Sequence, residues 1–139
     1  MKQTFPRKSK FKKSHKGVHY NRISKMNGAY ALCQNTVRLK ILEGGRITSK
    51  QIESIRSTIM KVIKKIGRLH LNCFAFLQIS KKPIETRMGK GKGSVDHWVF
   101  CAKPGFVICT IQIKTKQLGI FALKLAQDKI SLKTKVIVN

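Results

Sequence analysis

Acid is what this 139-residue chain lacks most: 5 Asp and Glu stand against 30 Lys and Arg, a formal charge of +25. A free globule with that surplus repels itself, so a permanent polyanionic partner is expected. The five acids, Glu43, Glu53, Glu85, Asp96 and Asp128, are scattered, and with the four histidines they make no paired-carboxylate or triad-like grouping. Catalysis is not expected, and a nuclease in particular lacks its carboxylate cluster. The only adjacent acid and imidazole, Asp96-His97, fall in a strand-like stretch where neighbours point to opposite faces. That geometry speaks against a dyad and puts Trp98 and Phe100 on Asp96's side, as core or RNA-packing residues.

Long apolar runs are missing too. The longest are short segments such as Phe74 to Leu77, far from the roughly 20 residues of a membrane-spanning helix. The first 25 residues carry nine Lys or Arg and no acid, without the apolar stretch of about 7–15 residues that a secretory signal needs. Their composition is close to that of a mitochondrial transit peptide. Pro6, Gly17 and the dense lysines are nevertheless poor material for an amphipathic helix, so the segment is read as mature and functional.

Cysteine is sparse. Cys33, Cys73, Cys101 and Cys109 include no pair at zinc-knuckle spacing, and disulfides are not expected beside intracellular nucleic acid, which leaves core thiols in strands. His15 and His19 are four apart, but no acid or cysteine lies near them. No metal and no cofactor is expected.

What is present is an apolar share of 42%, enough for one compact domain. Residues 1–28 read as an irregular basic extension that would stay disordered without a partner, and 29–139 as a single α+β RNA-binding domain. Tyr30 to Cys33 and Val37 to Leu42 are short strand-like runs; in the second, Val37, Leu39 and Ile41 alternate with Arg38, Lys40 and Leu42. Glu43-Gly44-Gly45 turns the chain. Thr48-Ser49-Lys50-Gln51 fits a capping box and predicts a helix from about Ser49 to Ile66, with Ile52, Ile55, Ile59, Val62 and Ile66 on one stripe, Ile63 at its edge, and Gly67 as cap. A strand over Leu69 to Leu77 follows. Val95 to Cys101 and Phe106 to Ile113 are predicted to form a hairpin around Ala102-Lys103-Pro104-Gly105. A second helix over Lys116 to Lys129 would bury Leu118, Phe121, Ala122 and Leu125, before a last strand at Lys135 to Val138. The expected architecture is a mixed or antiparallel sheet with two helices on one face.

Three basic stretches are candidate RNA contacts. In Arg87-Met88-Gly89-Lys90-Gly91-Lys92-Gly93, alternate glycines let backbone approach a ligand while Arg87, Lys90 and Lys92 offer charge to phosphates. Its spacing is neither that of a P-loop nor GxGxxG, and the plainer reading is a flexible hairpin tip. The arm carries Arg7, Lys8, Lys10, Lys12, Lys13, His15 and Lys16, interrupted by Phe5 and Phe11, which can stack on bases. Its plainer reading is a solubility or localisation tail. On the first helix Lys50, Lys61, Lys64 and Lys65 lie opposite the Ile stripe, either as a solvated face or, given the charge, on phosphate.

These motifs stand in an order that resembles the bacterial and organellar form of large-subunit ribosomal protein sixteen. Pro6 to Gly17 looks like that family's basic signature, and Gly45-Arg46-Ile47-Thr48-Ser49-Lys50-Gln51-Ile52-Glu53 like the start of its first long helix. Lys82-Pro83 with Thr86 to Gly93 resembles its most recognisable motif, followed by Val95, Trp98 and Pro104-Gly105; Phe121 to Lys129 and Leu132-Lys133-Thr134 fit its end. The likeness covers nearly the whole chain, loosely over Val18 to Leu42, with Phe106 to Lys116 more hydrophobic than usual.

The resemblance implies a hammerhead-like α/β sandwich and a non-catalytic place on large-subunit ribosomal RNA beside the aminoacyl-tRNA site, supporting tRNA positioning and late subunit assembly. Arg87 to Gly93 would reach toward tRNA and the peptidyl-transferase region, Arg7 to Lys16 would thread between RNA helices, and Arg46 joins the RNA-binding set. Neighbouring large-subunit proteins are implied partners; a membrane is not. A free RNA-binding or regulatory module and a nucleic-acid enzyme are the alternatives. Abundant Lys and Ile, with Asn in the tail, point to AT-rich coding, and the family-like motif begins almost at Met1. A mitochondrial protein fits both, ahead of a plastid or bacterial cytoplasm.

Overall fold

A computed structural model describes residues 4–7, 9–11, 13–15 and 35–138. Its elements are β1 (Thr36–Ile41), β2 (Gly45–Thr48), α1 (Ser49–Ile63), β3 (Arg68–Leu71), β4 (Leu77–Lys81), β5 (Ser94–Ala102), β6 (Val107–Gln112), α2 (Lys116–Gln127) and β7 (Thr134–Val138). The class is α+β, with every strand pair antiparallel and two helices, as the patterning predicts. The run Tyr30 to Cys33 lies outside the described residues, as does the 28/29 boundary.

The strands divide into two sheets, β3-β6-β1-β7 and β2-β5-β4. In β1 the alternation sends Val37, Leu39 and Ile41 into the core, where Val37 and Leu39 stand opposite Ile111 and Cys109 of β6. The intervening Arg38 is also buried, only 2% exposed, and its Nη2 donates to Thr36 Oγ1 at 3.3 Å. The two helices pack on each other and complete the core, α2 against β1 and β7 and α1 against β2, β3 and β5.

The start of α1 follows from its sequence. Gln51 N donates to Thr48 Oγ1 at 3.2 Å and Thr48 N donates to Gln51 Oε1 at 2.8 Å, closing the capping box. Thr48→Ala is expected to cost about 1 kcal/mol in urea unfolding, and an unchanged midpoint would show the box to be idle. The helix stops at Ile63, earlier than predicted. Lys64, at φ 51°, is the cap, and its N–H returns to Met60 O at 2.9 Å, so Ile63 joins Ile52, Ile55 and Ile59 in the core while Ile66 is left 62% exposed. Gly67 serves close approach instead: a Cβ there would lie 2.7 Å from Ile63 Cγ2 and 3.0 Å from Gln112 O.

α2 is rotated relative to its predicted face. Gly119, Ala122, Leu123 and Ala126 are buried, whereas Phe121 is 56% exposed and Leu125 is at the surface. A Cβ on Gly119 would come within 3.1 Å of Val37 Cγ2, so this small-residue face is the one that lets the helix reach β1.

Two connections correct the sequence reading. The strand predicted over Leu69 to Leu77 is two strands in different sheets, because Asn72 breaks the run: its N–H bonds Ile108 O at 2.9 Å and its Nδ2 bonds Val107 O at 3.2 Å. Cys73 and Ala75 are buried in the crossing. The predicted hairpin of β5 and β6 does not form. Its turn exists, with Gly105 at φ 86°, but Gly105 N donates to Ile41 O at 2.8 Å, and the strands part to pair with β2 and β4 on one side and β1 and β3 on the other. Gly45 to Thr48, expected as turn and cap, is the strand opposite Val99 to Ala102.

Of the cysteines expected in the core, Cys73 and Cys109 are buried and Cys101 is half-buried, while Cys33 lies outside the described residues. Burial pushes the Cys73 thiol up to about 12 and moves Cys109 the same way. The folded state therefore holds these protons more tightly than the unfolded chain. Stability from this source is full below the ordinary thiol value of 9.0 and is lost as pH rises through it toward about 12. Both thiols are expected to resist iodoacetamide at pH ~8 until urea unfolds the chain; rapid labelling of the native protein would contradict their burial.

Candidate nucleic-acid interface

The described residues of the arm are irregular in conformation but tightly held. Ala75 N donates to Thr4 O at 3.0 Å, and the Phe5 ring lies nearly parallel to Trp98, 6.4 Å between centroids and 17° between planes. Gln78 of β4 is the main fastening. Its Nε2 donates to Ser9 Oγ at 2.7 Å and to Phe11 O at 2.9 Å, and its backbone carbonyl accepts from Ser14 Oγ at 3.1 Å. The arm so covers one end of the three-stranded sheet, where Trp98 and Gln78 stand side by side in register.

The glycine-rich segment joins the arm at this point. Lys13 Nζ donates to Lys92 O at 2.5 Å, and Lys92 Nζ donates back to Ser14 O. Lys82 Nζ donates to Gly89 O at 2.5 Å across the base of the loop. Gly89, Lys90 and Gly91 have φ of 102°, 52° and 80°, a run of left-handed backbone that glycine accepts readily at two of its three positions. Gly93 is constrained differently, since a Cβ there would stand 2.6 Å from Lys81 O. Gly93→Ala is expected to displace the loop from β4 and weaken RNA binding several-fold while the core unfolds at an unchanged temperature; unaltered binding would show that loop position is immaterial.

Beyond this root the loop is open. Residues 83–92 are exposed, and Ile84 and Met88 are fully so, at 97% and 102%. Arg87, Lys90 and Lys92 share the exposed surface with Lys10, whose Nζ lies 5.6 Å from the Phe11 ring centroid, and with Lys13. The one acid in the segment is Glu85. Lys8, Lys12 and Lys16 lie outside the described residues, and His15 is exposed beside Ser14. The two stretches that sequence reasoning treats separately therefore form one cationic platform. Gln78, Lys82, Ser9 and Ser14 were missed as its supports; only Lys82, next to Pro83 in the family-like motif, carried a signal.

The helix lysines make a second area. Lys50, Lys61, Lys64 and Lys65 are exposed, but Lys61 is eleven residues from Lys50, about 16 Å along α1. Lys50 is near enough to Asp96 to help hold its carboxyl low, whereas the other three sit at the far end of the helix. Arg46 is half-buried in β2, opposite Cys101, rather than open at the surface.

Three of the acids are already engaged. Glu53 pairs with Arg56 at 3.0 Å and raises its pKa through that hydrogen bond, and Glu43 does the same to Lys133 at 2.8 Å. Asp96 Oδ2 is 2.8 Å from His97 Nδ1, which lowers the carboxyl below its ordinary range. That contact corrects the expectation of opposite faces. Ile79 pairs with His97 and Ser80 with Val95, so Asp96 has no cross-strand partner; this one-residue bulge brings Asp96 beside His97 and turns Val95 to the side of Trp98. The pair is exposed, a hydrogen bond between neighbouring surface side chains rather than a catalytic dyad.

Among the described residues no group of three His, Cys, Asp or Glu can hold a metal ion, and no helix is long and apolar enough to cross a membrane. The sequence pattern of the family described as ribosomal protein L16p/L10e matches residues 6–137. Large ribosomal subunit protein uL16 of Blochmanniella pennsylvanica is 40% identical over 132 residues, covering 95% of this chain and 96% of the relative. The uL16 of Karelsulcia muelleri is 41% identical over 134 residues, covering 96% of each. The uL16c of Euglena longa is 42% identical over 134 residues, covering 95% and 96%. With end-to-end similarity of this kind, over a matched range that takes in the arm from Pro6 and the glycine-rich loop, the chain belongs to the ribosomal protein L16p/L10e family.

Proposed function

We propose that the chain is a structural, non-catalytic constituent of the large ribosomal subunit, and that its arm and loop bind large-subunit ribosomal RNA beside the aminoacyl-tRNA site. The loop Arg87 to Gly93 faces tRNA and the peptidyl-transferase region, and the arm fills the space between converging RNA helices. In that place it supports tRNA positioning and late subunit assembly and meets neighbouring large-subunit proteins. The observation that carries the reading is the arm–loop platform: lysines and arginine on glycine-rich and extended backbone, interlocked through Lys13 and Lys92, with a single acid among them. Such a surface neutralises phosphate from two directions, which is what a junction of RNA helices requires.

The test is binding of the purified full chain to a fragment of large-subunit ribosomal RNA over a salt series. Five or more phosphate contacts give a slope of log K against log salt steeper than about −4; a flat response sinks the proposal. Metal-dependent cleavage of that RNA would restore the enzymatic alternative. The ribosome in question is placed in mitochondria on the Lys- and Ile-rich composition and the divergent segment 18–42. Recovery of the native protein with plastid or cytoplasmic ribosomes alone would overturn that placement.

A further inference from the structure

The arm crosses the three-stranded sheet without sealing against it. Between Ser9 and Lys13 of the arm and Gln78, Ser94, Val95 and Trp98 of the sheet lies a cavity of about 410 Å³. Its walls differ in chemistry. Trp98 supplies a flat apolar wall, the bulge at Asp96 adds Val95 beside it, and Lys13 brings an ammonium to the rim. Gln78 is the informative member. It is 8% exposed, its Nε2 is committed to Ser9 Oγ and Phe11 O, and its Oε1 is buried with no hydrogen-bond donor among the described residues. A buried acceptor in that condition favours a ligand that supplies an N–H.

We infer that this cavity, which Trp98 lines and Phe5 does not, receives one unstacked nucleobase of RNA, stacked on Trp98 on the side away from Phe5, with an amino group donated to Gln78 Oε1 and the adjoining phosphate on Lys13. The inference rests on the RNA-binding reading above and names a subsite within it. Aromatic faces hold single-stranded bases by stacking irrespective of sequence, and the acceptor adds a preference. Because both Nε2 hydrogens are taken, Gln78 can only accept; adenine, with an exocyclic amine carrying two hydrogens and the larger stacking face, is favoured over uracil, whose one donor is the ring N3–H. Lys13, interlocked with the loop at Lys92, sets cations beside the opening, where the phosphates next to the base would lie.

Trp98 is the only tryptophan of the chain, so its fluorescence reports on this cavity directly. The full chain is titrated with hexaadenylate and with hexauridylate. The expected result is saturable quenching by hexaadenylate, with affinity about fivefold above hexauridylate. Val95→Phe narrows the cavity without touching the arm's hydrogen bonds, and should abolish the quenching while the ribosomal RNA fragment still binds, with its salt slope unchanged because no phosphate contact is removed. Ser94→Leu, at the exposed rim, repeats the test from another wall. Binding of dye-labelled hexaadenylate without quenching, equal response to both oligonucleotides, or quenching that survives both substitutions overturns the subsite and leaves the RNA-binding reading standing. Failure to bind either oligonucleotide or the fragment overturns both.

Discussion

Deleting residues 1–17 is expected to lower affinity for a large-subunit ribosomal RNA fragment by about 100-fold at moderate salt and to flatten its salt dependence by about four to six in log–log slope. The deleted stretch carries seven Lys or Arg and no acid, and each phosphate that is no longer neutralised takes roughly 0.9 from the slope. The structure adds a second effect. Without the arm, Lys92 has neither Lys13 nor Ser14 to bond, and Phe5 no longer covers Trp98, so the loop is less well held as well as less charged. Replacing Arg7 and Lys10 by Gln separates the two effects, since it lowers the slope by about two while the bond of Lys13 to Lys92 and those of Gln78 to Ser9, Phe11 and Ser14 remain. An unchanged slope after full deletion would remove the arm from the interface.

Ile59→Ala is expected to destabilise the chain by about 3 kcal/mol, a fall in melting temperature of roughly 10 °C, because Ile59 is fully buried in the core beneath α1. Ile66→Ala is the matched control. Helical periodicity alone gives the two isoleucines equal weight, yet Ile66 lies beyond the cap at Lys64 and is 62% exposed, so its replacement should cost less than about 0.5 kcal/mol. Equal destabilisation by the two variants would mean that the helix continues to Ile66.

That contrast marks how far the residues alone could be read. Local rules were legible where one short-range interaction decides the outcome: the Thr48–Gln51 box, the alternation of Val37, Leu39 and Ile41, and the turn at Gly105 all stand in the structure. Partners were not legible where choice of sheet decides. Nothing within Val95 to Ile113 distinguishes a hairpin from two strands that part at Ala102, because the decision is made by Gly45 and Lys40, more than fifty residues away. The face of α2 was misread in part: Ala122 is buried and Leu118 packs on the core as expected, but Phe121 and Leu125 were chosen for bulk where Gly119 approaches Val37 because it is small. The interface divides the same way. Composition and glycine spacing pointed to Arg7–Lys16 and Arg87–Gly93, but their union depends on Gln78, an ordinary residue in a strand pattern whose only distinction is its position under the arm.

The most direct measurement of the central claim is sedimentation of the endogenous protein through a sucrose gradient in high salt. A structural constituent of the large subunit, held by the interlocked arm and loop, should travel with that subunit at about 0.5 M salt and be absent from the top of the gradient. Protein recovered at the top under those conditions, with large subunits intact and lacking it, would contradict the account.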